Sequence, residues 1–253
     1  MSRFLLALTL SFGLAIPAQA EVDFDGVDDY VDVGTGLDQN GPVTISAWIY
    51  WKSNVGRQEI LSNSDSAGGA IDYAFEVNRT ANRLSLLRSN EVVTVTGNTD
   101  VSLNTWHHVV GVLSGSSGSW TGTLYLDGSS NGSATDTNNP SGTNQSTSIG
   151  RLGENNGSYF NGLIDDVRIY SRALSAAEIL ELYSSRLKYH DVTGAAPVGY
   201  WPLDDCADGT SGDGDTFVDR SGSGNNGTGD DGANNTGLVC RAESYLSYPG
   251  SVQ

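Results

Sequence analysis

The sequence predicts an all-β protein, a two-sheet antiparallel sandwich with one short helix towards its C-terminal side. Apolar residues alternate with polar ones along most of the chain, as in residues 24–33, 43–51 and 163–170. Such runs, separated by turns rich in Gly, Asn and Asp, are typical of half-buried strands in a sandwich. The 32 glycines fit this layout, because tight hairpin turns need the positive φ angles that glycine reaches easily.

Residues 1–20 are predicted to be a secretory signal peptide. Arg3 supplies the positive charge, residues 4–16 the apolar core, and the small residues Ala18 and Ala20 a cleavage site before Glu21. The apolar run is too short to span a bilayer comfortably. We therefore expect a secreted, periplasmic or cell-surface protein without membrane insertion.

The predicted strands begin after the cleavage site, and those between residues 71 and 96 follow one another as a meander. They lie at residues 22–24, 27–33, 43–51, 60–61, 71–77, 83–88, 91–96, 106–113, 121–126, 147–150 and 160–170. The dipeptide Asp127-Gly128 is a turn signal, and residues 129–140 are predicted to be a polar loop.

A single helix follows the last of these strands. Ser175 and Glu178 form a capping box ahead of Ile179 and Leu182, and the helix is predicted to end near Ser185. Its apolar residues can cover one end of a sandwich.

Composition changes after the helix. Residues 190–197 are predicted to be a linker, and residues 198–253 contain few apolar groups. A segment of this size and polarity cannot easily bury an independent core. Its two cysteines, Cys206 and Cys240, are predicted to form a disulfide, because an exported chain favours oxidised pairs. Metal ligation by the same pair is the weaker alternative, since no histidine or CxxC spacing accompanies them.

The net charge limits the partners. With 30 acidic and 13 basic residues, the chain has a formal charge of -17 and repels phosphate backbones. The sequence therefore predicts no nucleic-acid partner. Acids in loops keep a chain soluble, and they are also the hard oxygen ligands that calcium prefers.

Six motifs occur in an order that resembles a known family. They are residues 27–31 (VDDYV), 44–48 (TISAW), 104–109 (NTWHHV), 124–128 (LYLDG), 160–170 (FNGLIDDVRIY) and 172–179 (RALSAAEI). The series is similar to bacterial laminin G-like domains of the concanavalin A-like jelly-roll superfamily, which also contains pentraxins and legume lectins. The resemblance covers about residues 22–185, with the domain placed at 21–189. It implies a recognition module that binds glycan or an extracellular protein.

The tail carries a second, partial resemblance. Residues 200–205 (YWPLDD) and 219–228 (DRSGSGNNGT) resemble the opening of another such domain, an opening that the first domain lacks. The flanking cysteines are similar to repeats in exported, pilus-associated proteins of the mannose-sensitive haemagglutinin biogenesis type. The tail either begins a truncated second repeat, which the sequence favours, or folds back to supply the missing strand.

Catalysis is not expected. Glycosidases of the superfamily carry an E-x-D-x-x-E strand that places two carboxylates on one face, and this chain has no such triplet. Glu59, Glu76, Glu91 and Glu154 stand alone in the sequence. No nearby Ser, Cys or Asp motif completes a relay with the histidines at 107–108.

Calcium is the expected cofactor. Asp65 and Asp72 resemble the metal loop of pentraxins and laminin G domains, and Glu154 lies in what resembles the second contributing loop, although an amide there replaces a pentraxin acid. A second ion could join Asp28 near the N-terminal strand to Asp165 on the C-terminal one. For both sites the alternative is a set of solvated surface acids.

Aromatic residues supply the candidate ligand contacts. Trp120 and Tyr159 are predicted at loop edges, where an exposed ring can stack on a sugar. The sequence therefore favours a non-catalytic recognition module. Further repeats of a larger surface assembly are candidate partners of this module. The alternative is a structural or adhesive repeat with no small ligand.

Overall fold

The computed structural model describes residues 20–64, 70–77, 81–89, 92–139, 144–153, 158–185, 192, 194–207, 209–232 and 237–242. Within them the chain forms sixteen strands and one α-helix. The predicted signal peptide lies outside the described residues except for Ala20, and it stays a prediction. The described part contains no helix of the length and apolarity needed to cross a bilayer.

The elements follow the chain in this order: β1 (Ala20–Asp25), β2 (Tyr30–Thr35), β3 (Val43–Trp51), β4 (Gln58–Ser64), β5 (Ile71–Val77), β6 (Leu84–Arg88), β7 (Val92–Thr96), β8 (Trp106–Ser116), β9 (Ser119–Leu126), β10 (Ser129–Asp136), β11 (Ser146–Ile149), β12 (Asn161–Tyr170), α1 (Ala176–Ser185), β13 (Gly199–Trp201), β14 (Thr216–Phe217), β15 (Gly227–Asp230) and β16 (Val239–Ala242).

Two antiparallel sheets form the sandwich. The first has the order β10-β9-β8-β3-β12-β1-β16, and the second the order β14-β15-β2-β11-β4-β5-β6-β7. Strand β13 also pairs with β12. Strands β1 and β13 therefore lie one after the other along β12. The predicted all-β, two-sheet jelly-roll sandwich with one short helix is confirmed.

The core lies between the sheets, where the apolar members of the alternating strands meet. Phe24, Trp51, Phe75, Leu86 and Trp201 belong to this one cluster. Close packing of such large side chains supplies most of the driving force for folding.

One predicted loop is a strand instead. Residues 129–136 form β10, which pairs with β9 across the Asp127-Gly128 turn. The sequence prediction of a polar loop was wrong because β10 is an edge strand, with most of its side chains exposed. Its backbone hydrogen bonds to β9 need no apolar residues.

Helix α1 has the predicted cap and covers the outer face of the first sheet. The backbone N–H of Ser175 donates to Glu178 (2.7 Å), and Glu178 N–H donates to the Ser175 hydroxyl (3.4 Å). Hydrogen bonds from Arg172 and Ser175 lower the pKa of Glu178 to about 2. Ile179 and Leu182 are buried, and Tyr183 stacks on Trp48 with ring centroids 5.9 Å apart.

The tail lies inside the same sandwich. Strand β13 pairs with β12, β15 with β2, and β16 with β1. Trp201, Leu203, Phe217 and Leu238 are buried in the core shared with the earlier strands. The preference for a separate stub was therefore wrong, because these four side chains fill the common core although the segment is too polar to build its own.

The two cysteines of the tail are bonded. Cys206 and Cys240 form a disulfide across a sequence separation of 34. The bond closes a loop within the tail and joins the segment after β13 to β16.

Candidate functional site

Asp72 lies at the rim of the second sheet. It is the one predicted ligand of the calcium loops among the described residues, because Asp65 and Glu154 lie outside the described part of the chain. The Asp72 carboxylate accepts a hydrogen bond from the Gln39 backbone N–H, and its Oδ1 lies 3.8 Å from Nη2 of Arg88. Burial raises the pKa of Asp72 to about 6, although the Gln39 hydrogen bond and the Arg88 charge act in the opposite direction.

A glutamine connects Asp72 to a second acid. The side-chain oxygen of Gln145 accepts a hydrogen bond from the Asp72 N–H (3.1 Å), and the Gln145 N–H donates to Asp38 (3.1 Å). Asp38 also accepts from the Asn144 N–H. Three chain segments are thus fixed together around two carboxylates at this rim.

Trp120, predicted as an exposed sugar-stacking residue, is buried at 2% exposure. The Arg88 guanidinium lies 4.0 Å from the centroid of its ring, and the indole N–H donates to the Asn139 side chain (3.2 Å). The prediction of an exposed ring was wrong, because Arg88 and the segment after β10 occupy the positions that a ligand would need. Tyr159 is partly exposed, and its role stays a prediction.

The structure does not bring Asp28 and Asp165 together. Asp25 at the end of β1 is paired with Asn161, whereas Asp165 is four residues further along β12. At the usual rise per residue, this is about 13 Å of strand. Asp165 is fully buried and its Oδ1 accepts a hydrogen bond from the Asp166 N–H (2.9 Å). An ion shared by Asp28 and Asp165 is therefore not supported.

Asp28 lies instead in a cluster of acids at the β1–β2 hairpin. Asp25, Asp28 and Asp29 each place one carboxylate oxygen within 4.8 Å of the others. Burial raises the pKa of Asp29 to about 7; the Asp25 backbone N–H, which donates to Asp29 (2.6 Å), opposes this, and the charges of Asp25 and Asp28 add to it.

The tail closes over this hairpin. A Cβ atom placed on Gly237 would lie 2.2 Å from Oδ1 of Asp29, and one on Gly232 would lie 2.4 Å from the Asp28 side chain. Both positions therefore require glycine, because any other residue would collide with a carboxylate.

A cleft of about 260 Å³ lies beside the hairpin, between β1, the end of β3 and the tail. We call it the tail cleft, and its polar lining comprises Asp23, Asp25, Lys52, Asn161 and Arg241. The Asp23 carboxylate binds two cations: Nζ of Lys52 at 2.6 Å and Nε of Arg241 at 2.9 Å. The cleft thus presents charged groups of both signs on one concave surface.

Sequence reasoning missed a hydrogen-bonded chain around His107. Its Nδ1 lies 2.8 Å from Oδ2 of Asp127, and its Nε2 lies 2.7 Å from the Ser102 hydroxyl. The order of contacts is that of a Ser-His-Asp relay. However, Asp127 also accepts a hydrogen bond from the His108 N–H (3.0 Å), which fixes the turn before β10. Ser102 and Asp127 are five and twenty positions from His107 in the sequence, so no local motif marks them as its partners.

The neighbouring histidine is a packing residue. His108 is fully buried, makes a 2.9 Å hydrogen bond with the Ser46 hydroxyl, and lies 5.2 Å from the Trp48 ring. Burial and the charge of Arg168 lower the pKa of His108 to about 3. The imidazole is therefore neutral at physiological pH.

Two glutamates that look isolated in the sequence are neighbours in the second sheet. Glu59 on β4 is paired in register with Glu76 on β5, and Arg57 lies 3.3 Å from Glu76. Directly opposed residues have Cβ atoms about 5 Å apart, so the two side chains are neighbours on one face of the sheet. Both side chains are fully buried, so a sugar cannot reach them in this conformation.

Comparison with known proteins identifies the fold family. Residues 25–180 match the laminin G-like family model Laminin_G_3, described as the concanavalin A-like lectin/glucanases superfamily. The chain belongs to this family. The laminin G-like resemblance is therefore confirmed, whereas the resemblance of the tail to pilus-associated repeats stays a prediction. No curated protein has a significantly similar sequence.

Several solved structures share this laminin G-like fold at low sequence identity. An inferred carbohydrate-binding protein from Bacteroides ovatus has a TM-score of 0.64 and 14% identity, over 90% of this chain and 60% of its own. The present chain therefore spans 60% of the length of that protein. A heptameric SAP-like pentraxin from Limulus polyphemus has a TM-score of 0.53 and 19% identity, over 69% and 86% of the two chains.

A third structure is the CBM40 domain of the Ruminococcus gnavus IT-sialidase, bound to α2,3-sialyllactose. It has a TM-score of 0.51 and 14% identity, over 66% of this chain and 99% of that domain. At such identities these likenesses establish the fold alone.

Proposed function

We propose that this laminin G-like chain is a non-catalytic carbohydrate-binding module of an exported protein and that the tail cleft holds the sugar. The observation that carries the proposal is the cleft itself, a concave site of about 260 Å³ lined by groups of both charges. Its volume suits a single sugar unit with the rest of the chain in solvent. Ligand sites are commonly concave surfaces with a few well-placed polar groups.

The charges of the cleft favour a neutral sugar. Lys52 and Arg241 contribute two positive charges, and Asp23 and Asp25 contribute two negative ones. Sugar hydroxyls both donate and accept hydrogen bonds, so they can bind carboxylates and cations at the same time. Hydrogen bonds to charged groups are stronger than those between neutral partners.

Two of the structural neighbours support this proposal, since the Ruminococcus domain was solved with a bound sialylated sugar and the Bacteroides protein is an inferred carbohydrate binder. The lack of an E-x-D-x-x-E strand and the burial of Glu59 and Glu76 favour binding over catalysis. Export is supported by the predicted signal peptide and by the disulfide, because such bonds persist in oxidising compartments.

A glycan array followed by calorimetry tests the proposal. We expect a neutral glycan to bind the wild type, and Lys52→Ala and Arg241→Ala each to weaken binding at least about tenfold, which corresponds to about 1.4 kcal/mol. Arg83→Ala is the matched control, because Arg83 pairs with Asp100 near β6, in the other sheet. Binding that survives both cleft substitutions, or no binding to any glycan, would contradict the proposal.

Calcium dependence at the rim is a finer part of the proposal. It is supported by Asp72, whose Oδ1 is buried without a hydrogen-bond partner among the described residues, together with the predicted ligands Asp65 and Glu154. If the site binds calcium, chelation should weaken glycan binding and Asp72→Asn should remove this sensitivity. Equal affinity with and without chelator would exclude a functional role for rim calcium.

A further inference from the structure

The β1–β2 hairpin and the tail meet at a group of three carboxylates. Asp25, Asp28 and Asp29 offer oxygens that all lie within 4.8 Å of one another. Two oxygens bound to one calcium ion at 2.3–2.6 Å cannot be more than about 5 Å apart. The spacing is therefore compatible with a single shared ion.

A separate observation favours a ligand at this cluster. Asp29 is fully buried, and its Oδ1 has no hydrogen-bond partner among the described residues, while the Asp25 N–H donates to its Oδ2. A buried carboxylate oxygen without a partner is costly, and such groups in native proteins commonly bind water or an ion.

The cations of the adjoining tail cleft are engaged elsewhere. Lys52 and Arg241 both bind the Asp23 carboxylate, at 2.6 and 2.9 Å. These side chains therefore neutralise Asp23 first, and a cluster of three acids beside them favours an added cation.

The position of the tail shows what such an ion would do. Gly237 lies directly against Oδ1 of Asp29, and Gly232 lies against the side chain of Asp28. The carboxylates are thus enclosed between the hairpin of the first strands and two glycines of the last segment. An ion bound here would hold the two ends of the domain together.

We propose that Asp25, Asp28 and Asp29 bind a calcium ion that fastens the tail to the β1–β2 hairpin. Calcium fits better than magnesium, because it accepts six to eight oxygens in irregular geometry, whereas magnesium demands a near-ideal octahedron. The site is distinct from the rim around Asp72, and the inference does not depend on glycan binding.

Calorimetry and thermal unfolding of the full chain test the site. Binding to the folded state raises its stability by mass action. Millimolar calcium should therefore raise the Tm of the wild type by about 5 °C or more over the chelated protein. In an Asp72→Asn background, which removes any contribution of the rim, Asp29→Asn and Asp28→Asn should each abolish both the rise and the calorimetric signal, while magnesium at the same concentration should produce less than half of the rise.

Two matched variants assign the effect to the hairpin. The exposed Asp100→Asn should keep the whole calcium response of the wild type, and Asp72→Asn at the rim should keep the part of the response that Asp28→Asn removes. Amide exchange supplies an independent readout, because calcium should slow exchange in β15 and β16 of the wild type but not of Asp28→Asn. The proposal is overturned if calcium leaves the wild type unchanged, if the rise in the Asp72→Asn background survives Asp28→Asn and Asp29→Asn, or if Asp72→Asn alone removes the whole rise.

Discussion

We call the described residues up to 185 the sandwich body. The body and residues 194–242 of the tail contribute strands to the same two sheets, but these strands differ greatly in length and burial. In the body, β3, β8 and β12 are nine, eleven and ten residues long and almost continuously buried. In the tail, β13 to β16 have only two to four residues each. Long hydrogen-bonded strands and a broad apolar surface therefore stabilise the body. The short strands of the tail cannot stabilise it in this way.

The tail is held by a few anchors and by polar turns. Its buried side chains include Trp201, Leu203, Phe217 and Leu238. Asp219 organises the loop between them: its Oδ1 accepts hydrogen bonds from the Tyr200 and Ser221 N–H groups at 2.9 Å. A segment too polar to fold alone can thus be an integral part of a neighbouring core, provided that its few apolar residues reach that core.

Removal of the tail is the most severe test of whether the tail and the body share one core. A chain ending at Ser185 loses the four anchors, each worth about 1.5–3 kcal/mol, or about 6–12 kcal/mol together. That approaches the whole stability of a typical domain. We expect the fragment to be unfolded or aggregated in circular dichroism and size-exclusion chromatography. A monomeric fragment that melts within a few degrees of the full chain would show that the tail is dispensable.

Removal of one buried anchor side chain from the tail should reduce the free energy of unfolding as much as removal of one from the body. Trp201 is fully buried, and its indole N–H donates to the Asn225 carbonyl (2.8 Å); Trp51 in β3 is equally buried and donates to Gln58 (3.0 Å). Trp201→Ala and Trp51→Ala should each reduce the free energy of unfolding by about 3–5 kcal/mol. Urea unfolding of both variants gives the comparison, and a loss below about 1 kcal/mol for Trp201→Ala alone would separate the tail from the core.

The disulfide should contribute less, and within the tail. Because Cys206 and Cys240 are 34 residues apart, the bond stabilises by about 3–4 kcal/mol at most, and measured values are often lower. The double variant Cys206→Ser/Cys240→Ser should lower the Tm less than Trp201→Ala and should make residues 202–238 the first site of protease cleavage. Mass spectrometry of the early fragments checks this, and first cleavage in the body would contradict it.

The body could be predicted from the sequence because its pattern is local. The alternation in residues 43–51 and the capping box at Ser175 and Glu178 specify β3 and α1 without knowledge of distant contacts. Strand β10 could not be predicted in this way, because a polar edge strand is specified by its partner. The place of the tail was missed for the same reason: the four anchors are scattered, and only the shared core shows their purpose.

The candidate site was less accessible to sequence reasoning. Trp120 carries the right chemistry for stacking on a sugar, yet its burial under Arg88 depends on a contact between residues 32 positions apart. Glu59 and Glu76 become neighbours only through the β4–β5 register. In contrast, the acids at 25–29 are adjacent in sequence, and what the sequence could not show is that Gly232 and Gly237 close over them.

Hydrogen exchange of the full chain tests most directly whether the tail belongs to the sandwich. If the two regions share one core, amides of β13 and β16 should open only with global unfolding, as should those of their partners β12 and β1. We therefore predict the same protection free energy in the tail strands and in β12, falling equally as denaturant is added. Fast exchange in β13 and β16 while β12 stays protected would contradict the account.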